Sequence, residues 1–324
     1  MTSALPTAAI PIENIRKARE ALAGTALRTP LVRLHVDAPA EIHLKLENLQ
    51  PIGSFKIRGA FNAMSTRSPE ELAAGVITAS AGNMAQGVAW GAKLRGIPCT
   101  VVVPDYAPRT KIEAIERLGG TVIPVPFADW WQAIVSSSFP GLDGVFIHPV
   151  LDDAVMAGNG TIGLELLEDL PELDAVVVPW GGGGLTCGIA SALRALKPDV
   201  KVYSVEPETG APMARSFAAG ESLAVDDYRA SFVDGSGSKA LLPKMWELGR
   251  GLIAGGLVSS LDETAAAVRM LAERARVVAE GAGALSLAAA LAGRAGSGRV
   301  VCIVSGGNID ADRLRRILAG ETPA

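Results

Sequence analysis

From Ala175 to Leu193 the chain carries no charged side chain, and inside that stretch stand Pro179 and four consecutive glycines, Gly181 to Gly184. An uncharged run of this length matches a bilayer-spanning helix. Pro179 and the glycines exclude one, because they would break a helix in lipid and strand main-chain groups without partners. What remains is a buried strand from Ala175 to Val178, a tight turn, and a helix behind it. Such a turn lets main-chain N–H groups converge unobstructed, and the helix N-terminus adds its dipole, so a phosphate monoester is a natural guest. A merely flexible turn is the alternative. The spacing matches neither the dinucleotide fingerprint nor the Walker loop.

The same alternation runs through the 324-residue chain. Short β-branched runs at Ile42 to Glu47, Val76 to Ala79, Cys99 to Val103, Thr121 to Val125, Val145 to Ile147, Lys201 to Val205 and Arg299 to Val304 read as strands. Asn83 to Arg95, Arg109 to Leu118, Asn159 to Asp169 and Glu263 to Ala279 are long enough to be crossover helices. The expected fold is α/β, with mostly parallel twisted sheets flanked by helices. At 49% hydrophobic and 20% charged residues the chain can build two cores. Composition seams near Arg67 to Pro69 and near Pro149 predict a small domain, 69–149, inserted in a large one formed by 1–68 and 150–324. Met1 to Ile12 lacks the charged and apolar regions of a secretory signal and reads as a mobile arm.

Thirty Lys plus Arg against 34 Asp plus Glu leave a net charge of −4 with no long basic run. Nucleic-acid and membrane partners are therefore not expected, and a small molecule is. Cys99, Cys187 and Cys302 stand singly, which fits a reducing, cytoplasmic compartment and neither a disulfide framework nor a zinc site. His35, His43 and His148 have no ligand-like spacing.

In Lys45 to Ala60 a strand ends at Pro51-Ile52-Gly53, and Ser54 is placed to cap the next helix. Lys56 then lies in its first turn. The helix dipole there disfavours the charged amine by about 0.3–1 kcal/mol, and Arg58 pushes the same way. Both favour a neutral, nucleophilic lysine; a solvated lysine opening an ordinary helix is the alternative. An amine suited to carbonyl condensation, a phosphate cup and no nucleotide or metal motif together point to pyridoxal 5'-phosphate held as a Schiff base.

Gly53-Ser-Phe-Lys56-Ile-Arg-Gly, Ser80-Ala-Gly-Asn83, Gly158-Asn-Gly-Thr161, Gly181 to Gly184, Glu280-Gly-Ala-Gly283 and Ser305-Gly-Gly-Asn308 follow one another in an order that resembles the serine/threonine dehydratase (ammonia-lyase) family of fold type II pyridoxal-phosphate enzymes, which are tryptophan synthase beta-like. The resemblance covers about Thr29 to Leu318. It implies a two-domain enzyme that eliminates water from a β-hydroxy-α-amino acid, with L-threonine and L-serine first, giving a 2-oxo acid and ammonia. Lys56 would bind the cofactor and take the Cα proton. Gly181, Gly182, Gly183, Gly184 and Leu185 would hold the phosphate, Phe55 would pack on the ring, and Asn83 would bind the phenolic oxygen. Ser80, Ala81, Gly82, Asn83 and Met84 would receive the substrate carboxylate, and Glu280 would sit near the ring edge. Phe55 as plain core and Glu280 as an N-terminal helix charge are the alternatives.

Ser305 would face the pyridine nitrogen. A hydroxyl cannot stabilise a pyridinium as a carboxylate does, which favours prompt β-elimination over transamination; a turn-capping serine is the alternative. Ala81 occupies the place where similar racemases carry a hydroxyl, and it cannot exchange a proton. Met84 replaces the usual His, so phenylserine or 3-hydroxyaspartate dehydration stays open beside a Met that only fills space. An amino-acid racemase or a non-catalytic amino-acid-binding protein are the other readings. Glu206 matches one ligand of a divalent-cation site in some relatives, but Pro212 replaces a carboxylate, so no metal is expected. The resemblance further implies a homodimer. The chain stops at Ala324, which leaves no room for an appended regulatory domain.

Overall fold

The structure is a computed structural model that describes residues 9–324. Helix α1 (Ile12–Ala21) opens it, followed by strands β1 (Leu31–Arg33) and β2 (Glu41–Lys45) and helix α2 (Lys56–Ser65). Next come β3 (Val76–Ala79), α3 (Asn83–Arg95), β4 (Cys99–Pro104), α4 (Arg109–Arg117), β5 (Thr121–Val125), α5 (Phe127–Ser136) and β6 (Val145–Phe146). The chain continues through α6 (Asp153–Asp169), β7 (Ala175–Pro179), α7 (Gly184–Leu196), β8 (Lys201–Pro207), α8 (Pro212–Ala219), α9 (Pro243–Leu252) and β9 (Gly255–Ser259). It closes with α10 (Leu261–Met270), α11 (Gly281–Leu291), β10 (Arg299–Ile303) and α12 (Ala311–Leu318).

Two sheets result. The larger has the order β1-β2-β10-β7-β8-β9 and the smaller β5-β4-β3-β6. Every pairing is parallel except β1 with β2. Both faces of the larger sheet are covered, which is why its strands read as unbroken apolar runs. Along β7, Val176 and Val178 pack toward α1, α6 and α7, while Ala175 and Val177 pack toward α10 and α11. The smaller sheet buries Val76, Val101 and Val103 against α2 and α3, and Ile77 and Val102 against α5.

Several expectations need correction. Residues 1–8 of the proposed arm lie outside the described residues, but Ile10 is docked: it is buried and its N–H donates to Ser191 Oγ at 3.0 Å. The helix read from Asn159 begins earlier, because Asp152 accepts the Ala154 and Val155 N–H groups and caps α6. The helix read as Glu263 to Ala279 widens into a π-turn, Leu271–Ala275, and stops at Arg276 with φ +60°. Strands β1 and β9 lie outside the strand runs read from the sequence. Cys99, Cys187 and Cys302 are buried free thiols. No helix among the described residues is long and apolar enough to cross a membrane.

Candidate active site

Lys56 reaches its place through main-chain pairing between two distant segments. Phe55 N–H donates to Ser305 O at 3.0 Å and Gly307 N–H to Gly53 O at 2.8 Å, so the turn before α2 is stitched to the segment after β10. Gly53 sits at φ +72°, where a Cβ would fall 2.6 Å from Asn308 Oδ1. Ser54 does not cap α2. Its Oγ is buried without a hydrogen-bond partner, and Phe55 occupies the cap position with no side-chain bond.

Burial lowers the Lys56 amine to about 8, with Glu280 opposing. The neutral tendency is thus present, but Arg58 is not its source. Arg58 turns away and is neutralised, donating from Nε to Glu47 Oε2 at 2.8 Å and from Nη1 to Glu165 Oε1 at 2.6 Å. Lys45 Nζ joins the same buried network, 2.5 Å from Glu165 Oε2. Burial opposes ionisation of Glu47, yet the Arg58 charge and hydrogen bonds hold its carboxyl below the usual range.

A cavity of about 270 Å³ gathers Phe55, Lys56, Ser80, Ala81, Gly82, Asn83, Met84, the four glycines, Leu185, Glu280 and Ser305. This is near the lower end of the ~300–1,000 Å³ typical of small-molecule sites. The contributors leave the carboxyl ends of parallel strands: Ser80 follows β3, the glycines follow β7 and Ser305 follows β10. The Phe55 ring centroid lies 5.0 Å from Lys56 Nζ. Met84 is both things at once, a cavity wall and a member of the smaller sheet's core, only 2% exposed.

The glycine loop has no space for side chains. A Cβ on Gly182 would fall 2.3 Å from a Val150 methyl, and one on Gly183, at φ +94°, would fall 2.6 Å from the Trp180 ring. Among the described residues the N–H groups of Gly181, Gly182 and Gly183 donate to no main-chain carbonyl, and α7 begins directly behind them. Unpaired donors facing a cavity at a helix N-terminus suit a phosphate. Ser305 Oγ likewise makes no hydrogen bond among the described residues, so it is free for a ring nitrogen. The donor set fits pyridoxal phosphate.

Asn83 is held at both ends of its amide: Nδ2 donates to Glu280 Oε1 at 2.8 Å, and Oδ1 accepts from Asn308 Nδ2 at 2.7 Å. The Glu280 carboxyl is pushed up to about 7, first by burial and then by the nearby charge of Asp234, against the Asn83 bond, Lys111 and Lys56. Lys111 and Asp234 also line the cavity. Neither carried a local sequence signal, since α4 reads as an ordinary crossover helix and Asp234 lies in an irregular loop. Glu206 is used elsewhere, accepting the Met213 and Ala214 N–H groups at 3.2 and 2.8 Å at the start of α8.

Residues 22–306 match the family described as pyridoxal-phosphate dependent enzyme. The chain belongs to that family. This pyridoxal-phosphate enzyme is 42% identical over 315 residues to the L-threonine ammonia-lyase of Thermotoga maritima, covering 95% of this chain and 78% of the relative. It is 38% identical over 318 residues to the catabolic L-threonine dehydratase TdcB of Escherichia coli K12, covering 95% and 96%. The structure of maize serine racemase superposes with a TM-score of 0.88 at 34% identity, covering 97% of this chain and 98% of that one. The architecture is accordingly fold type II.

Proposed function

We propose that the enzyme is an ammonia-lyase that removes water from L-threonine or L-serine and releases a 2-oxo acid and ammonia. The reading rests on one observation: the Lys56 amine and the unpaired Ser305 hydroxyl line one cavity with the open glycine loop. Relatives named for threonine deamination at 38–42% identity support it.

Bound pyridoxal phosphate supplies an aldehyde for covalent attachment and an electron-withdrawing ring that loosens the bond to the Cα proton. Lys56 Nζ would hold it and would serve as the base for that proton; an amine depressed to about 8 is partly neutral near pH 7–8 and suited to both tasks. The N–H groups of Gly181 to Gly184 and of Leu185 would hold the phosphate, and Phe55 would pack against the ring. Asn83 has its oxygen committed to Asn308, which leaves Nδ2 to serve the phenolic oxygen beside Glu280. The loop Ser80 to Met84 receives the substrate carboxylate. Ser305 Oγ would face the ring nitrogen without supplying a negative charge, which would keep electron withdrawal modest and favour loss of the β-hydroxyl over reprotonation. The Cα proton and the β-hydroxyl leave as water, and the released enamine hydrolyses to the 2-oxo acid and ammonia. Ala81 offers no proton from its position, which disfavours racemisation.

In the same reading, residues 69–149 act as a small domain against 1–68 and 150–324, and the enzyme works as a cytoplasmic homodimer. The test is release of 2-oxo acid from L-threonine and L-serine, with Lys56→Ala as control. Turnover lost with Lys56→Ala supports the reading; D-amino acid formation without 2-oxo acid overturns it.

A further inference from the structure

His148 follows β6 and is 4% exposed. Its Nδ1 accepts two main-chain N–H groups, Val150 at 2.9 Å and Leu151 at 2.8 Å. One lone pair thereby fixes the turn that leads to the Asp152 cap of α6. Val150 at the centre of this turn is the residue whose methyls meet Gly182, and its carbonyl lies 3.5 Å from where a Cβ on Gly184 would stand. Pro149 and Val150 also line the cavity. The histidine is thus tied to the glycine loop through a single intervening side chain.

We propose that His148 is a positioning residue for cofactor retention, accepting both N–H groups through Nδ1 so that Val150 is pressed against the glycine loop and holds its donors convergent. The inference rests on reading Gly181 to Gly184 as the phosphate site. Protonated Nδ1 would confront two N–H donors with a third, so the turn holds only while the ring is neutral with its proton on Nε2. Nε2 is buried near the Ile134 carbonyl without a well-formed hydrogen bond. Burial and the Lys244 charge favour the neutral ring, and the Ile134 carbonyl and Asp152 oppose them. Lys244 itself is occupied 3.0 Å from Asp153 Oδ1.

The experiment measures the dissociation constant of pyridoxal phosphate by its visible absorbance, with the fold of each cofactor-free variant checked by circular dichroism. Wild-type protein is compared with His148→Asn, whose amide oxygen keeps an acceptor that cannot titrate, with His148→Ala, and with Gly183→Ala. Two orphaned, partly buried donors in His148→Ala weaken binding about ten-fold or more, whereas His148→Asn stays within about three-fold of wild type near neutral pH. Burial lowers the His148 pKa, so on acidification into the range where the ring gains a proton, wild-type affinity drops more steeply than that of His148→Asn, whose amide cannot titrate. A folded His148→Ala with wild-type affinity, or a His148→Asn with an equally steep acid drop, overturns the proposal. Should His148→Ala not fold, the pH comparison of wild type with His148→Asn decides. Unchanged affinity in Gly183→Ala overturns the phosphate assignment and the proposal together; impaired Gly183→Ala beside unimpaired His148→Ala overturns the proposal alone.

Discussion

Lys111 Nζ lies 2.7 Å from Asp234 Oδ2, an ion pair at the cavity that ties α4, beside the smaller sheet, to a loop following α8. Arg313 approaches the same carboxylate at 4.0 Å. The pair leaves the cavity's second lysine neutralised, which suits substrates with uncharged side chains. Asp234→Asn exposes that lysine and is expected to raise kcat/KM for 3-hydroxyaspartate relative to threonine about three- to ten-fold, the scale of one partly exposed charge pair. A ratio equal to wild type would falsify this role for Lys111.

The same substitution acts on Glu280. Asp234 helps push its carboxyl up to about 7, so removing that charge lowers the value. Any acid limb that Glu280 contributes to kcat moves to lower pH in Asp234→Asn and vanishes in Glu280→Gln, which keeps an oxygen for the Asn83 bond. The pH–rate profiles of the three proteins make the comparison.

Lys56 titrates near 8, and condensation needs the neutral amine. Reconstitution of cofactor-free enzyme is therefore expected to accelerate as pH rises through about 8 and to slow about ten-fold for each pH unit well below it. Stopped-flow absorbance gives the rates; a flat profile between about pH 6 and 8 would mean that the amine is already neutral.

Gly182 and Gly183 fail for different reasons when given a methyl group. Gly182→Ala runs first into the Val150 side chain, so Val150→Ala restores part of the lost cofactor affinity. Gly183→Ala combines the Trp180 clash with positive φ, which alone costs about 1–3 kcal/mol, and Val150→Ala brings no recovery. Equal rescue at both positions would contradict this geometry.

Arg58→Met leaves Glu47 buried without its main counter-charge and Glu165 with Lys45 alone. The expected loss of folding stability is about 3–5 kcal/mol, read from the denaturant midpoint. Lysine is a poor substitute, since the arginine serves two carboxylates through its fork.

What the sequence revealed was local chemistry. The glycine run between an apolar strand and a helix, and Lys56 just after Pro51-Ile52-Gly53, announce themselves because their backbone requirements are written in neighbouring residues. β1 was hidden because it has three residues behind Pro30, and β9 because it starts with two glycines in place of β-branched residues. The π-turn after α10 follows no apolar period. Lys111, Asp234 and His148 were missed or set aside because their roles depend on partners that only folding brings near. Ser54 and Arg58 show the opposite error, a sound local argument overridden when tertiary partners captured or failed to meet the side chain.

The strand-to-loop exits at Ser80, His148, Gly181 and Ser305 all lie at carboxyl ends of parallel strands. The opposite rim of both sheets contributes none of these four exits. A dye, surface tether or fusion partner installed along that rim would stand at the far end of the strands from the cavity that gathers Lys56 and the glycine loop.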